Sequence, residues 1–130
     1  EFIASADGMH RDWRIFVSAG RVIAAMIRHG SSWITNIKQG ARAEAAIPSQ
    51  ELADLALRAA SCVGADYAGV DIIQDRSGAP LVLEVNSMPA WQGLQRVTRT
   101  RIADSIVAPF LDACLGHTEQ RSAPRGQEGA

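Results

Sequence analysis

Polar and apolar residues alternate along "DWRIFV", so that Trp13, Ile15 and Val17 share one face while Asp12, Arg14 and Phe16 share the other. A period of two is that of a β-strand. After the turn-forming "SAGR", the apolar run "VIAAMIR" from Val22 to Arg28 predicts a second strand, and the two predict an antiparallel hairpin. "HGSSWITNIKQGA" has the Gly, Ser and Asn content of a loop, yet its tryptophan and isoleucines predict a loop held down on something. The period then lengthens. In "IPSQELADLALRAASCVGA", Leu52, Leu55, Ala56, Ala59 and Val63 recur at helical spacing, with Ser49 as N-cap, Glu51 in the first turn and Gly64 at the end. "YAGVDIIQDRSGAPLVLEVN" predicts two strands around "DRSGAP". A second helix is predicted from about Thr100 to Leu115, through Ile102, Ile106, Val107, Phe110, Leu111 and Cys114, with Pro109 kinking it or shifting its start. The order of elements predicts an α+β fold, an antiparallel sheet covered by two main helices.

Polar residues inside the second hairpin pose a charge problem. With its turn over Arg76 to Ala79, Val70 faces Val85 and Ile72 faces Leu83, while Asp71 lands opposite Glu84 on the other side of the sheet. Ile73, Val82 and Asn86 share that side. Directly opposed residues have Cβ atoms about 4.5 to 5.5 Å apart, and like charges there repel. Solvent, a shared proton, a basic side chain or a metal must compensate. Asp71, Glu84 and Asn86 together offer the hard oxygen donors that a divalent cation takes. The plain alternative is a solvated sheet face, against which the apolar Val82 and Ile73 argue. Amides at positions 71 and 84 are then expected to leave fold stability unchanged or raised.

Composition narrows the picture. The chain has 130 residues, 47% of them hydrophobic and 21% charged, with a net charge of -1. That length suits one domain, and that charge provides no broad field for nucleic acid or a membrane, so neither is expected as a partner. Cys62 and Cys114 lack metal or redox spacing and are expected to be buried, reduced thiols of a cytoplasmic protein. No run of about 18 apolar residues could span a bilayer. The start on Glu1, in what looks like mid-strand, suggests a fragment of a longer protein, and the Gly-, Pro- and Arg-rich residues 116–130 suggest a disordered tail. His10, His29 and His117 have no Ser or Cys partner at motif spacing, so no nucleophilic triad is implied.

The motifs as a set resemble a family. "AGVDII" followed by "LVLEVNSMP" resembles the metal-binding hairpin of ATP-grasp enzymes, in particular the RimK-like carboxylate-amine ligases, whose pattern is GVD, a short turn, then EVN and a proline. "DWRIFVSAGRVIAAMIR" is similar to their strand pair with Asp-x-Arg, "TNIKQGA" to their phosphate-closing loop, and "EFI" to the hinge that holds the adenine. The likeness covers roughly residues 1 to 113, which makes residues 1 to 115 the C-terminal part of an ATP-grasp domain.

The resemblance implies ATP as cofactor with one or two magnesium ions, for which manganese can substitute, held by Asp71, Glu84 and Asn86 with Glu84 as bridge. Glu1, Phe2 and Ile3 would meet the adenine through backbone groups, with Asp12 near the nucleotide. Arg28 would face the γ-phosphate as the catalytic residue, and Asn36 would contribute there, with Lys38 beside it. The implied reaction activates a small-molecule or peptide carboxylate as an acyl phosphate, which an amine such as glutamate then attacks to form an amide. The rest of the ATP-grasp chain is an implied partner, a homo-oligomer is compatible with it, and the isolated chain is expected to be inactive because the family's phosphate-binding lysines lie upstream. Ile34 departs from the arginine of close relatives, and "AWQGLQ" from their glycine-rich continuation.

Blander readings stand beside these. Arg28 serves equally as a strand-end arginine in water, Asp12 and Arg14 as a surface ion pair, Asn36 as a turn residue and Lys38 as a solvated loop residue. Met88 and Trp91 are expected to pack under the last helix, with a substrate pocket as the alternative. At the level of function, a nucleotide-binding or regulatory module without ligase activity competes with the ligase, and so does a structural domain whose acidic pair is incidental.

Overall fold

A computed structural model describes residues 10–30 and 42–122 of the chain, residues 116–122 by backbone alone. Strand β1 (His10–Ser18) folds back on β2 (Arg21–Gly30) through Ala19 and Gly20, whose φ values of 48° and 69° make the two-residue turn that suits strand twist. β3 (Arg42–Ala45) pairs with the outer edge of β2, while β4 (Tyr67–Gln74) pairs with the other edge of β1 and β5 (Pro80–Asn86) closes the sheet. The order is β3-β2-β1-β4-β5, with every pairing antiparallel. β1 is therefore central, flanked on both sides.

Helix α1 (Gln50–Cys62) covers one face. Its N-terminus is capped by Ser49, whose Oγ accepts from the Leu52 N–H at 3.3 Å. At the other end, the Ala65 N–H reaches the Ala60 carbonyl and Gly64 takes the left-handed conformation, the glycine-closed helix end that the sequence predicts. Leu52, Ala56 and Ala60 pack on Ile15, Val17, Ala25, Val70 and Ile72. Each large aliphatic side chain buried there contributes roughly 1.5 to 3 kcal/mol. On the opposite face, Phe16 and Met26 lie under Leu94 of the short helix α2 (Gln92–Gln95) and Ile102 of α3 (Ile102–Ser122). Ser18 Oγ ties that helix to β1 by donating to the Ser105 carbonyl at 3.0 Å.

The second hairpin departs from the predicted register in a compensated way. Its loop takes in Asp75 through Ala79, one residue more than predicted, because the Asp75 carboxylate accepts from the Ser77 N–H, the Ser77 hydroxyl and the Ala79 N–H. Gln74 thus pairs with Pro80 and Ile72 with Val82 instead of Leu83. A bulge then restores the predicted pairs Asp71 with Glu84 and Val70 with Val85. Val82 accordingly belongs with Ile72, not with the acids.

Other expectations change as well. β3 and α2 carry no periodic signal, since each is four residues long. α3 passes through Pro109 and runs to Ser122, and most of its predicted apolar stripe is exposed, with Phe110 at 66%. Met88 is 83% exposed instead of packed, whereas Trp91 meets Phe16 edge-on with ring centroids 6.4 Å apart. Cys62 and Cys114 are exposed, against the prediction of buried thiols, and neither is in a disulfide. Among the described residues, no helix is long and apolar enough to cross a membrane.

Candidate functional site

Moving along β1 from Phe16 toward its start, the face that lies under α2 and α3 turns from apolar to charged at Arg14 and Asp12. Two registers decide their partners: Asp12 is opposite Arg28 on β2, and Arg14 is opposite Asp71 on β4. Arg28 donates from Nε to Asp12 Oδ1 at 2.9 Å and from Nη2 to Asp12 Oδ2, and the same Nη2 donates to Asp71 Oδ2 at 2.8 Å. Arg14 grips Asp71 as a fork, Nε to Oδ1 and Nη2 to Oδ2, the latter at 2.6 Å. Such forks match guanidinium to carboxylate in geometry as well as charge.

Asp12, Arg28 and Asp71 are all buried, at 4%, 9% and 5% exposure. Burial alone would lower the Arg28 pKa, but the hydrogen bond to Asp12 and the charges of Asp71 and Asp12 outweigh it and hold the guanidinium above its ordinary value. Arg28 stays charged at any physiological pH. Neither arginine spends its Nη1 nitrogen on a partner among the described residues.

Across the next strand boundary, Glu84 stands directly opposite Asp71 and is exposed, with no ion pair or side-chain hydrogen bond among the described residues. The opposed acids are thus compensated by basic side chains at Asp71, while Glu84 has no such partner among the described residues. Asn86, two residues on and opposite Gly69, accepts the Met88 N–H on Oδ1 at 2.9 Å. That bond fixes the direction of the amide and uses one of its lone pairs.

Of the residues singled out from sequence, Asp12, Arg28 and Asp71 form one hydrogen-bonded cluster, with Glu84 and Asn86 following by register on β5. Glu1, Phe2, Ile3, Asn36 and Lys38 lie outside the described residues. Arg14 is the addition: the sequence offered it as the partner of Asp12 in a surface ion pair, and the sheet turns it onto Asp71 instead. Its signal lay in the adjacency of β1 and β4, which no local pattern encodes. Arg28 is no strand-end arginine in water.

Among the described residues no group of three or more His, Cys, Asp or Glu is set to hold a metal. The oxygen set here is two carboxylates and an amide. Asp71 accepts three hydrogen bonds, which leaves about one of its roughly four lone-pair sites. With the unpaired Glu84 and the second lone pair of Asn86, that chemistry fits a hard divalent cation such as magnesium.

Comparison with known proteins identifies the family. A sequence profile of the RimK-like ATP-grasp domain matches residues 1–110. The tetrahydromethanopterin:alpha-L-glutamate ligase of Methanocaldococcus jannaschii is 44% identical over 112 residues, covering 85% of this chain and 38% of the relative. A probable alpha-L-glutamate ligase of Rhodopirellula baltica is 38% identical over 109 residues, covering 82% of this chain and 26% of the relative. The chain thus spans between about a quarter and two fifths of the length of these curated relatives. Among solved structures, ATP-grasp ligase PsnB complexed with a phosphomimetic variant of its minimal precursor, Mg and ADP aligns with a TM-score of 0.63 at 30% identity, covering 84% of this chain and 33% of PsnB.

Proposed function

Because the chain belongs to the RimK-like ATP-grasp domain family, we propose that it is the C-terminal part of the ATP-grasp domain of an ATP- and magnesium-dependent ligase that joins an amino acid, glutamate first among candidates, to a carboxylate through an acyl phosphate. Glutamate is favoured by the names of the relatives, and a peptide carboxylate is kept open by the precursor bound to PsnB. The observation that carries the reading is Glu84, unpaired among the described residues, opposite an Asp71 that is held by the half-buried Arg14 and the buried Arg28.

Asp71, Glu84 and Asn86 would hold the metal, one or two magnesium ions or manganese in their place. Bound there, the metal would neutralise phosphate oxygens as charge shifts during phosphoryl transfer. Arg28 is fixed by Asp12 and Asp71 with its Nη1 donors unspent, so it can meet the transferred phosphoryl group without reorganising. Asp12 then serves the nucleotide through Arg28 and not by touch. Arg14 sets the Asp71 carboxylate. Glu1, Phe2 and Ile3 would carry the adenine and Asn36 would close on the phosphates.

The test is ADP release by the full-length protein that carries this chain, with L-glutamate and a panel of acids, in magnesium and in EDTA. Acid- and glutamate-dependent ADP release that EDTA abolishes supports the ligase. Magnesium-dependent ATP binding without ADP release for any pair would favour the nucleotide-binding module, and no ATP binding would overturn both.

A further inference from the structure

Gly69 lies on β4 two residues before Asp71, on the same face, between Phe16 of β1 and Asn86 of β5. Its backbone is ordinary strand, so any demand for glycine here concerns space. A Cβ at this position would stand 2.8 Å from Pro89 Cβ and 3.2 Å from Arg14 Cδ. The first contact is closer than carbon atoms approach, and Pro89 cannot swing aside, because it is a fully buried ring whose Cβ sits next to the backbone.

Both neighbours lead to metal-ligand candidates. The Arg14 stem lies beside Gly69 while its guanidinium forks onto Asp71. Pro89 restricts Met88 to extended conformations, and the Met88 N–H is the group that Asn86 Oδ1 accepts. The side-chain position that Gly69 leaves to Pro89 and Arg14 is therefore where the settings of Asp71 and Asn86 meet.

On the ligase reading above, on which this inference rests, we propose that Gly69 is a positioning residue for the metal and phosphate site. By lacking a side chain it lets Pro89 and the Arg14 stem lie on β4 together, which aims the oxygens of Asp71 and Asn86 at one cation. Gly69 touches neither metal nor nucleotide.

The experiment follows binding of a fluorescent ATP analogue to the full-length protein as magnesium is titrated, with melting temperature measured alongside. Gly69→Ala is expected to raise the magnesium concentration for half-maximal binding by about tenfold or more, the usual cost of disturbing an outer-shell partner. Pro89→Gly removes the ring that Ala at 69 would strike, so Gly69→Ala/Pro89→Gly should be no worse than Pro89→Gly alone. A purely structural glycine would lower the melting temperature and leave the magnesium requirement within about twofold of wild type, and that result overturns the proposal. Independent addition of the two effects overturns it as well. Should Gly69→Ala not fold, Arg14→Lys decides: it keeps charge and stem but loses the fork, and an unchanged magnesium requirement is fatal to the idea. A wild-type protein that binds no MgATP sinks the ligase reading together with this one, whereas wild-type binding with indifferent variants sinks this one alone.

Discussion

Asp71→Asn separates two views of the same pair of acids, because they predict opposite signs. If Asp71 and Glu84 merely repelled each other across the sheet, removing one charge would stabilise the fold or leave it unchanged. The structure instead puts Asp71 under two guanidiniums and 5% exposed. A pair of unit charges about 4 Å apart is worth about 4 kcal/mol at an effective dielectric constant near 20. Asparagine removes that attraction from Arg14 and Arg28 at once, while Arg28 keeps Asp12. Relief of carboxylate desolvation returns part of it, and the side-chain exposures of 12% for Arg14 and 11% for Arg28 let water screen some of the rest. Losing one partner of a buried pair typically costs about 3 to 5 kcal/mol, and the screening points to the lower end, about 3 kcal/mol. For a domain of this size that lowers the melting temperature by about 10 °C. Circular dichroism melts in metal-free buffer measure it. A variant that melts at or above the wild-type temperature refutes the account of the cluster.

Glu84→Gln should behave in the opposite manner, because Glu84 is exposed and unpaired among the described residues: stability stays within about 0.5 kcal/mol of wild type while magnesium-dependent nucleotide binding is lost. A melt that falls as far as that of Asp71→Asn, or unchanged binding, contradicts this. At the hairpin loop, the Ser77 hydroxyl and then the backbone N–H groups of the turn hold the Asp75 carboxyl below its ordinary value. Its contribution is therefore full above the unfolded aspartate pKa and fades as pH falls through the lower, folded value. An NMR titration of Asp75 should show a midpoint below that of a model aspartate, and Ser77→Ala should move it upward; a midpoint indifferent to Ser77 refutes the cause.

Legibility from sequence followed the range of the interactions. α1 could be read from cap to closing glycine because its signals lie within one turn of the residues they fix. The Asp71–Glu84 pairing was also legible, although two one-residue errors cancelled: the loop takes one residue more and the bulge gives it back. The side-chain network of Asp75 and the bulge near Leu83 leave no trace in apolar alternation. Arg14 marks the limit. Residues two apart on a strand stand about 6.6 Å from each other, whereas opposed residues on neighbouring strands have Cβ atoms about 5 Å apart, so a cross-strand partner outcompetes one on the same strand. Asp12 and Arg14 each took a partner across the sheet, in opposite directions, and only the strand order determines which.

That division of partners bears on how the proposed site would load. The two arginines cancel Asp12 and Asp71, so among the described residues the face presents a divalent cation with one net negative charge, that of Glu84, and not with the two carboxylate charges of the ligand set that the resemblance implies. One exposed carboxylate, an amide oxygen and one remaining lone pair of Asp71 form a weak trap for a strongly hydrated ion, which sheds its waters reluctantly. Triphosphate oxygens supply the missing charge and ligands. On the ligase reading, magnesium and nucleotide therefore bind as one unit, each weakly without the other, and Arg28 is already in place when they arrive because its carboxylate partners hold it there beforehand. On that reading, the ion pairs that neutralise Asp12 and Asp71 also leave the face a weak holder of metal without nucleotide.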